Sequence, residues 1–220
     1  AAIQAVLFES GTPGIFRGKT VIQMGTISAD ESRGFHDMLH HAGGDYCEAP
    51  VLGSLAEAKA GTLIVMVGGT QDQLERWQPV FRALSPSPTL VGDVGQAATL
   101  KLALNQLIAA ELTAFATSLG VVQRAGLSVD QFMAILKTSA LFAPAFEKKL
   151  PRLLGRTYDN PNFPTTHLLK DVTLFAEEAR RLGLPVTHLD DIRKVLEETI
   201  QRGLGAVDYS ALFETINPKG

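Results

Sequence analysis

Strand patterns occupy the first part of this chain, stop at Val91 and do not return. Residues 19–24 (KTVIQM), 45–48 (DYCE), 62–67 (TLIVMV) and 89–91 (TLV) read as short strands, the third strongly apolar and β-branched. Helical patterns separate them at 28–42, 55–60 and 72–84, the middle one weak. Ser28 with Glu31 three residues on reads as a capping box, and Gly43-Gly44 closes that helix. Residues 1–9 read as the tail of a helix, broken by Ser10-Gly11-Thr12-Pro13-Gly14, and Pro50 begins a loop. Strands alternating with helices predict βα units and a mostly parallel sheet.

Beyond Val91 the period is helical throughout. One long helix is expected over 96–125, ended by Gly126. Further helices are expected over 128–138 (capped by Ser128), 143–154, 165–182, 187–203 and 208–215. The chain therefore divides near Gly92–Gly95 into an α/β part (1–94) and an all-α part (95–220) joined by the long helix. Residues 102–122 are apolar over a length that tempts a membrane span. Asn105, Gln106 and Glu111 interrupt it and no basic flank accompanies it, so a buried core helix is the better reading.

The net charge is -3 and charged residues make up 20% of the chain, so no basic face is offered to nucleic acid or anionic lipid. The single cysteine, Cys47, has no internal partner, which fits a reducing, cytoplasmic setting. No Cys/His spacing suits a metal; His36 and His40, beside Asp37, read as a polar helix face.

The chemistry concentrates where the two parts meet. The segment GDVGQAATLKLALN (92–105) runs from a glycine-punctuated turn into an apolar helix that carries one ammonium, Lys101, and one amide, Asn105. Their i, i+4 spacing puts both on one helical face. A lysine on an apolar face is desolvated, which lowers its pKa toward neutrality and suits it to proton transfer. The alternative is a lysine at the helix edge that snorkels to water.

No G-x-G-x-x-G follows a strand near the start, as a dinucleotide-binding sheet requires. The chain opens inside a helix, and the expectation is that a first part is missing, on the order of 60 residues if two βαβ-sized units are absent.

Four segments in order resemble the β-hydroxyacid dehydrogenase family, which includes 3-hydroxyisobutyrate dehydrogenases and glyoxylate/succinic semialdehyde reductases. Gly25-Thr26-Ile27-Ser28 resembles the family's S-T-[IV]-S/D-P loop. Glu48-Ala49-Pro50-Val51-Leu52-Gly53-Ser54, leading to Gly61-Thr62-Leu63 and Val67-Gly68-Gly69, resembles its A-P-V-S-G substrate loop and next strand. Residues 92–105 match its G-x-x-G-x-G-x-x-x-K-x-x-x-N motif, with Ala97 at the third glycine, and Phe163 with Lys170-Asp171 resembles its F-x-x-x-x-x-x-K-D segment.

The resemblance implies a partial Rossmann-like domain, lacking its N-terminal phosphate-binding βαβ part, followed by an all-α domain that builds a homodimer or higher oligomer. It implies an NAD(P)-dependent oxidoreductase acting on a small carboxylated or carbonyl substrate. NADP is favoured over NAD, because Glu48-Ala49-Pro50 and Lys170-Asp171 look more like the reductase branch. Lys101 would carry the proton to or from the substrate oxygen, and Asn105 would orient it. Thr26 would sit by the nicotinamide ribose and Lys170 would reach the cofactor. Gly53 and Ser54 would offer backbone N–H groups to a substrate carboxylate, with Phe163 and Asp171 lining the far side. Each has a plainer reading: Thr26 ends a strand, Gly53 is a turn glycine, Phe163 staples a helix, and Lys170-Asp171 is a surface pair. Two family serines are replaced, by Gly25 and Leu52, which points to a longer or less polar substrate. The competing functional reading is a catalytically silent helical dimerisation or interaction module derived from the same fold.

Overall fold

The computed structural model describes residues 2–8 and 15–219, so the break expected at residues 10–14 lies outside the described residues. The first part begins with α1 (Ala2–Phe8), β1 (Thr20–Gln23), α2 (Ala29–His41) and β2 (Asp45–Glu48). β1 and β2 pair in parallel, with Val21 opposite Tyr46 and Gln23 opposite Glu48. The capping box forms as expected: Ser28 Oγ accepts the Glu31 N–H at 3.1 Å and Glu31 Oε2 accepts the Ser28 N–H at 3.0 Å.

A two-residue strand that the sequence reading took as loop, β3 (Val51–Leu52), follows Pro50, and α3 (Leu55–Ala60) leads to β4 (Ile64–Gly68). β3 pairs antiparallel with β4, Val51 opposite Val65. β4 also meets β2 antiparallel, at Glu48 opposite Gly68, and pairs in parallel with β5 (Thr89–Gly92). The sheet is therefore mixed, not mostly parallel. Residues 53–63, between β3 and β4, are fewer than the dozen or more that a parallel crossover takes, so the chain turns back.

The helix expected over 72–84 is two helices, α4 (Gln71–Arg76) and α5 (Gln78–Leu84). Pro79 sits in the first turn of α5 and has no N–H to continue the α4 ladder. Phe81 of α5 packs with Cys47, Leu63, Val65 and Val67 under one face of the sheet, and Phe35, Leu39 and Tyr46 form a second cluster with α2.

The helical part is α6 (Gln96–Arg124), α7 (Val129–Lys137), α8 (Pro144–Gly155), α9 (Thr165–Arg181), α10 (Thr187–Thr199) and α11 (Phe213–Ile216). A π turn at Ile200–Leu204 and a 3-10 turn at Tyr209–Leu212 replace regular helix at 200–212. Gly203, at φ +83°, breaks the ladder there. α6 is long and apolar enough to cross a membrane by length and composition alone. Here it is the core helix: Leu112, Phe115, Ala116 and Leu119 pack with Leu153, Leu168, Val172, Leu196 and Phe213. Each such fully buried leucine or phenylalanine contributes roughly 1.5–3 kcal/mol, which fixes the helix against α8 to α11.

Candidate active site

The strand ends place Gly25 and Thr26 after β1, and Gly53 and Ser54 after β3. Opposite them stands the start of α6. Between lies a cavity of about 580 Å³. Thr26, Leu52, Gly53 and Ser54 line it from the sheet side, and Lys101, Asn105, Lys149, Phe163 and Tyr209 line it from the helices. Ligands in open α/β sheets sit in such a crevice, at the carboxyl ends of the strands.

Lys101 and Asn105 share the cavity-facing side of α6. Lys101 Nζ donates to Asn105 Oδ1 at 2.8 Å, and Asn105 Nδ2 donates to Asp171 Oδ2 at 2.7 Å. The chain of bonds fixes the Asn105 amide, since only its oxygen can accept from an ammonium. Lys101 is 8% exposed, which decides against the snorkelling alternative. Burial lowers its pKa from 10.5 to about 8; the Asp171 carboxylate opposes that fall and the Lys170 ammonium adds to it. At pH 7 this lysine is an acid near its own midpoint, able to give up a proton and take one back.

Asp171 does not line the cavity as expected. It stands behind Asn105, 1% exposed, because α9 packs along α6 and turns this side chain into the interface. Lys170 Nζ lies 2.8 Å from Asp171 Oδ1, off the axis of a good hydrogen bond, so that oxygen accepts no aligned donor. The same ammonium donates to the Thr26 carbonyl at 2.6 Å, tying α9 to the loop after β1. The plain surface-pair reading of Lys170-Asp171 fails on the burial of Asp171.

Ser54 also departs from expectation. Its N–H donates to Glu57 Oε2 at 2.7 Å and its hydroxyl bonds the same oxygen, capping α3. The N–H that was to meet a carboxylate is already taken, because Glu57 lies three residues on in capping-box register. Gly53 has φ +133°, and a Cβ there would come within 2.6 Å of Leu63 Cδ2, so this position needs glycine.

Sequence reasoning missed Lys149 and Tyr209. Lys149 Nζ bonds both Asp208 oxygens at 2.8 Å and sits 4.2 Å from the centre of the Tyr209 ring, which in turn meets Phe163 edge-on at 5.8 Å. The signal was the spacing of Phe146, Lys149 and Leu153 on one helical face, hidden inside the charged run Glu147-Lys148-Lys149. Among the described residues no group of three or more His, Cys, Asp or Glu side chains could hold a metal. His36 and His40 stack on the outer side of α2.

The site can be compared with known proteins. Residues 1–92 match the family model described as the NAD binding domain of 6-phosphogluconate dehydrogenase. Residues 95–216 match the one described as NAD-binding of NADP-dependent 3-hydroxyisobutyrate dehydrogenase. The chain is 31% identical over 216 residues to 2-hydroxy-3-oxopropionate reductase of Escherichia coli, covering 97% of this chain and 74% of that protein. It belongs to the β-hydroxyacid dehydrogenase family. Glyoxylate/succinic semialdehyde reductase 1 of Arabidopsis thaliana is 30% identical over 219 residues, covering 98% of this chain and 75% of that protein. The fold is that of the crystal structure of a 3-hydroxyisobutyrate dehydrogenase from Salmonella typhimurium, with TM-score 0.84 at 23% identity, covering 97% of this chain and 75% of that one.

As a β-hydroxyacid dehydrogenase, the chain joins a group of NAD(P)-dependent oxidoreductases acting on small hydroxy acids. Against that family, the two serine replacements take on structure. Gly25 donates its N–H to Gln23 Oε1 at 2.6 Å, at the cavity edge. Leu52 joins Val51, Ile64 and Ile108 in an apolar wall.

Proposed function

We propose that this protein interconverts a small hydroxy acid and its aldehyde or keto form, using NADP in preference to NAD, with Lys101 as the proton carrier. The observation that carries the reading is the buried Lys101 ammonium, hydrogen-bonded to Asn105 at the edge of a cavity large enough for a small carboxylated substrate. In the reducing direction Lys101 protonates the oxygen as negative charge develops on it, and its own positive charge stabilises that oxygen beforehand. In the oxidising direction the neutral amine takes the proton from the hydroxyl. Asn105 orients the ammonium, and Asp171 fixes Asn105.

The residues beside the cavity fit a nicotinamide cofactor: Thr26 lines it just after a strand end, and Lys170 holds a cation over that loop. Thr26 and Lys170 would hold the group, which when bound supplies or accepts the hydride. Gly53 and Phe163 then bound the substrate, with Ser54 contributing through the shape of the α3 cap and not through a free N–H. In this reading residues 1–94 carry the cofactor and residues 95–220 carry the substrate and the subunit interface. Leu100, Leu107 and Val121 remain exposed along α6, which supports at least a homodimer.

The test combines calorimetry and turnover. NADPH and NADH are titrated into the protein and into Lys101→Ala, and both are assayed with small semialdehydes and their hydroxy acids. The proposal expects cofactor binding in both proteins and turnover lower in the variant by about 10²–10⁴-fold, the usual worth of a positioned proton carrier. Binding without turnover in the unmodified protein favours the silent module, and a variant that keeps its turnover removes Lys101 from the chemistry.

A further inference from the structure

We propose that Glu48 is a positioning residue for Lys101: its buried carboxylate supplies the N-cap that α6 lacks in its own sequence, and so locks the start of that helix to the strand leading into residues 49–54. The proposal deepens the reading of Lys101 as proton carrier and rests on it.

α6 has 29 residues, and its N-cap position is Gly95, which has no side chain to cap it. The backbone of Gly95 lies at φ +98°, a conformation that strains any side-chain-bearing residue, so a serine or aspartate cap is disfavoured there. The first N–H groups of a helix still need acceptors. Here the N–H groups of Gly95, Ala97 and Ala98 converge on one atom, Glu48 Oε1, at 2.8, 2.9 and 3.2 Å. The other carboxylate oxygen accepts the Ser32 hydroxyl, which lies 2.8 Å from the Tyr46 hydroxyl. Glu48 is 2% exposed, and both of its carboxylate oxygens are hydrogen-bonded.

A negative charge at a helix N-terminus is favourable, and more so out of water. Room for it is made on the opposite strand: a Cβ on Gly68 would sit 2.1 Å from Glu48 Oε1. Gly68 therefore makes the room that the Glu48 carboxylate occupies. Ala97, Lys101 and Asn105 follow at i, i+4 and i+8 on one face of α6, so a shift of the first turn is passed directly to the ammonium. Three residues past Glu48, the chain becomes the Val51–Ser54 wall of the cavity. One carboxylate thus sets the spacing between the substrate loop and the proton carrier.

Amide exchange measured by NMR separates this role from general stabilisation, and it needs no turnover. Glu48→Asp keeps the charge and withdraws it by one methylene; Glu48→Gln keeps the reach and removes the charge. In Glu48→Asp the amides of Ala97 and Ala98 should exchange about 10- to 100-fold faster, the loss expected for hydrogen bonds to a charged group, with the effect reaching Lys101. Glu48→Gln should fall between that and the unmodified protein. Competitive acylation of lysines, read peptide by peptide, should show Lys101 in Glu48→Asp titrating nearer its ordinary value as its burial loosens. Unchanged protection over 95–101 in Glu48→Asp, with only a uniform drop in global stability, overturns the proposal. Should that variant fail to fold, Gly68→Ala displaces the same carboxylate from the other side and carries the same expectation. Failure of the Lys101 reading is seen elsewhere, as turnover that survives Lys101→Ala.

Discussion

Burying Lys101 costs stability, and the cost can be measured. The fall of its pKa from 10.5 to about 8 corresponds to about 3 kcal/mol of preference, in the folded state, for the neutral amine. The sign follows from proton counts. Between pH 8 and 10.5 the unfolded chain holds the Lys101 proton and the folded protein does not, so raising the pH through that window stabilises the fold. Below pH 8 the full cost is present. Lys101→Met removes the titration while keeping the length of the side chain. It also leaves Asn105 Oδ1 without its donor, a loss of about 1–3 kcal/mol that does not depend on pH. The difference in stability between the unmodified protein and Lys101→Met should therefore move by about 3 kcal/mol in favour of the unmodified protein between pH 7 and 10.5. Urea melts of both proteins across that range give the difference, and other titrating groups cancel in it. A difference that stays flat with pH would mean the lysine is solvated and the pKa argument fails. A difference that moves in the opposite sense would mean a carboxylate, not burial, dominates its surroundings.

Two further outcomes follow from the same geometry. Asp171→Asn removes the anion that raises the Lys101 pKa, so the rate of oxidation, which needs the neutral amine, should reach its plateau at lower pH; a profile that does not move would place Asp171 outside the electrostatics of the site. Leu52→Ser restores a hydroxyl to the apolar wall and should raise kcat/KM for small carboxylated aldehydes by about 5- to 100-fold, the worth of one well-placed hydrogen bond, with no gain in steady-state assays counting against a pocket tuned to less polar substrates.

Much of this was legible along the chain because the signals are local. The Ser28–Glu31 capping box, the glycine turn at 92–95 and the i, i+4 placement of Lys101 and Asn105 all lie within a few residues, where backbone geometry alone decides the outcome. What was not legible depends on partners far apart in sequence. Asp171 carries nothing in its neighbourhood to say that it faces Asn105 across a helix pair. The reversal of β4 against β2 depends on how far residues 53–63 can reach, which no periodicity records. Ser54 was misread for the opposite reason: its own cap with Glu57 was local and visible, and outranked the role that family likeness suggested. Glu48 was in view as part of the substrate loop, but its carboxylate serves residues 47 to 50 positions away.

The protein contains its own comparison for why Asn105 stands between Lys101 and Asp171. Lys149 is as buried as Lys101 and lines the same cavity, but it touches its carboxylate directly, through two 2.8 Å bonds to Asp208. Burial pulls the Lys149 ammonium below its ordinary value, and Asp208 offsets only part of the fall. Burial likewise pushes the Asp208 carboxyl up, and the bonds from Lys149 and Ser210 outweigh it, leaving Asp208 below its usual range. Removing a proton from Lys149 strands an anion in the interior, so that pair holds its charges and serves as a fastener between α8 and the turn at Tyr209. Lys101 instead bonds a neutral amide. Its carboxylate is one residue further off and is shared with Lys170, whose charge cancels part of its effect. Deprotonation of Lys101 leaves no adjacent unpaired charge; the neutral amine still has N–H groups to donate to Asn105 Oδ1, and the desolvation of the ammonium is relieved. Of the two buried lysines that face the cavity, Lys101 is the one whose deprotonation leaves no directly bonded carboxylate unpaired.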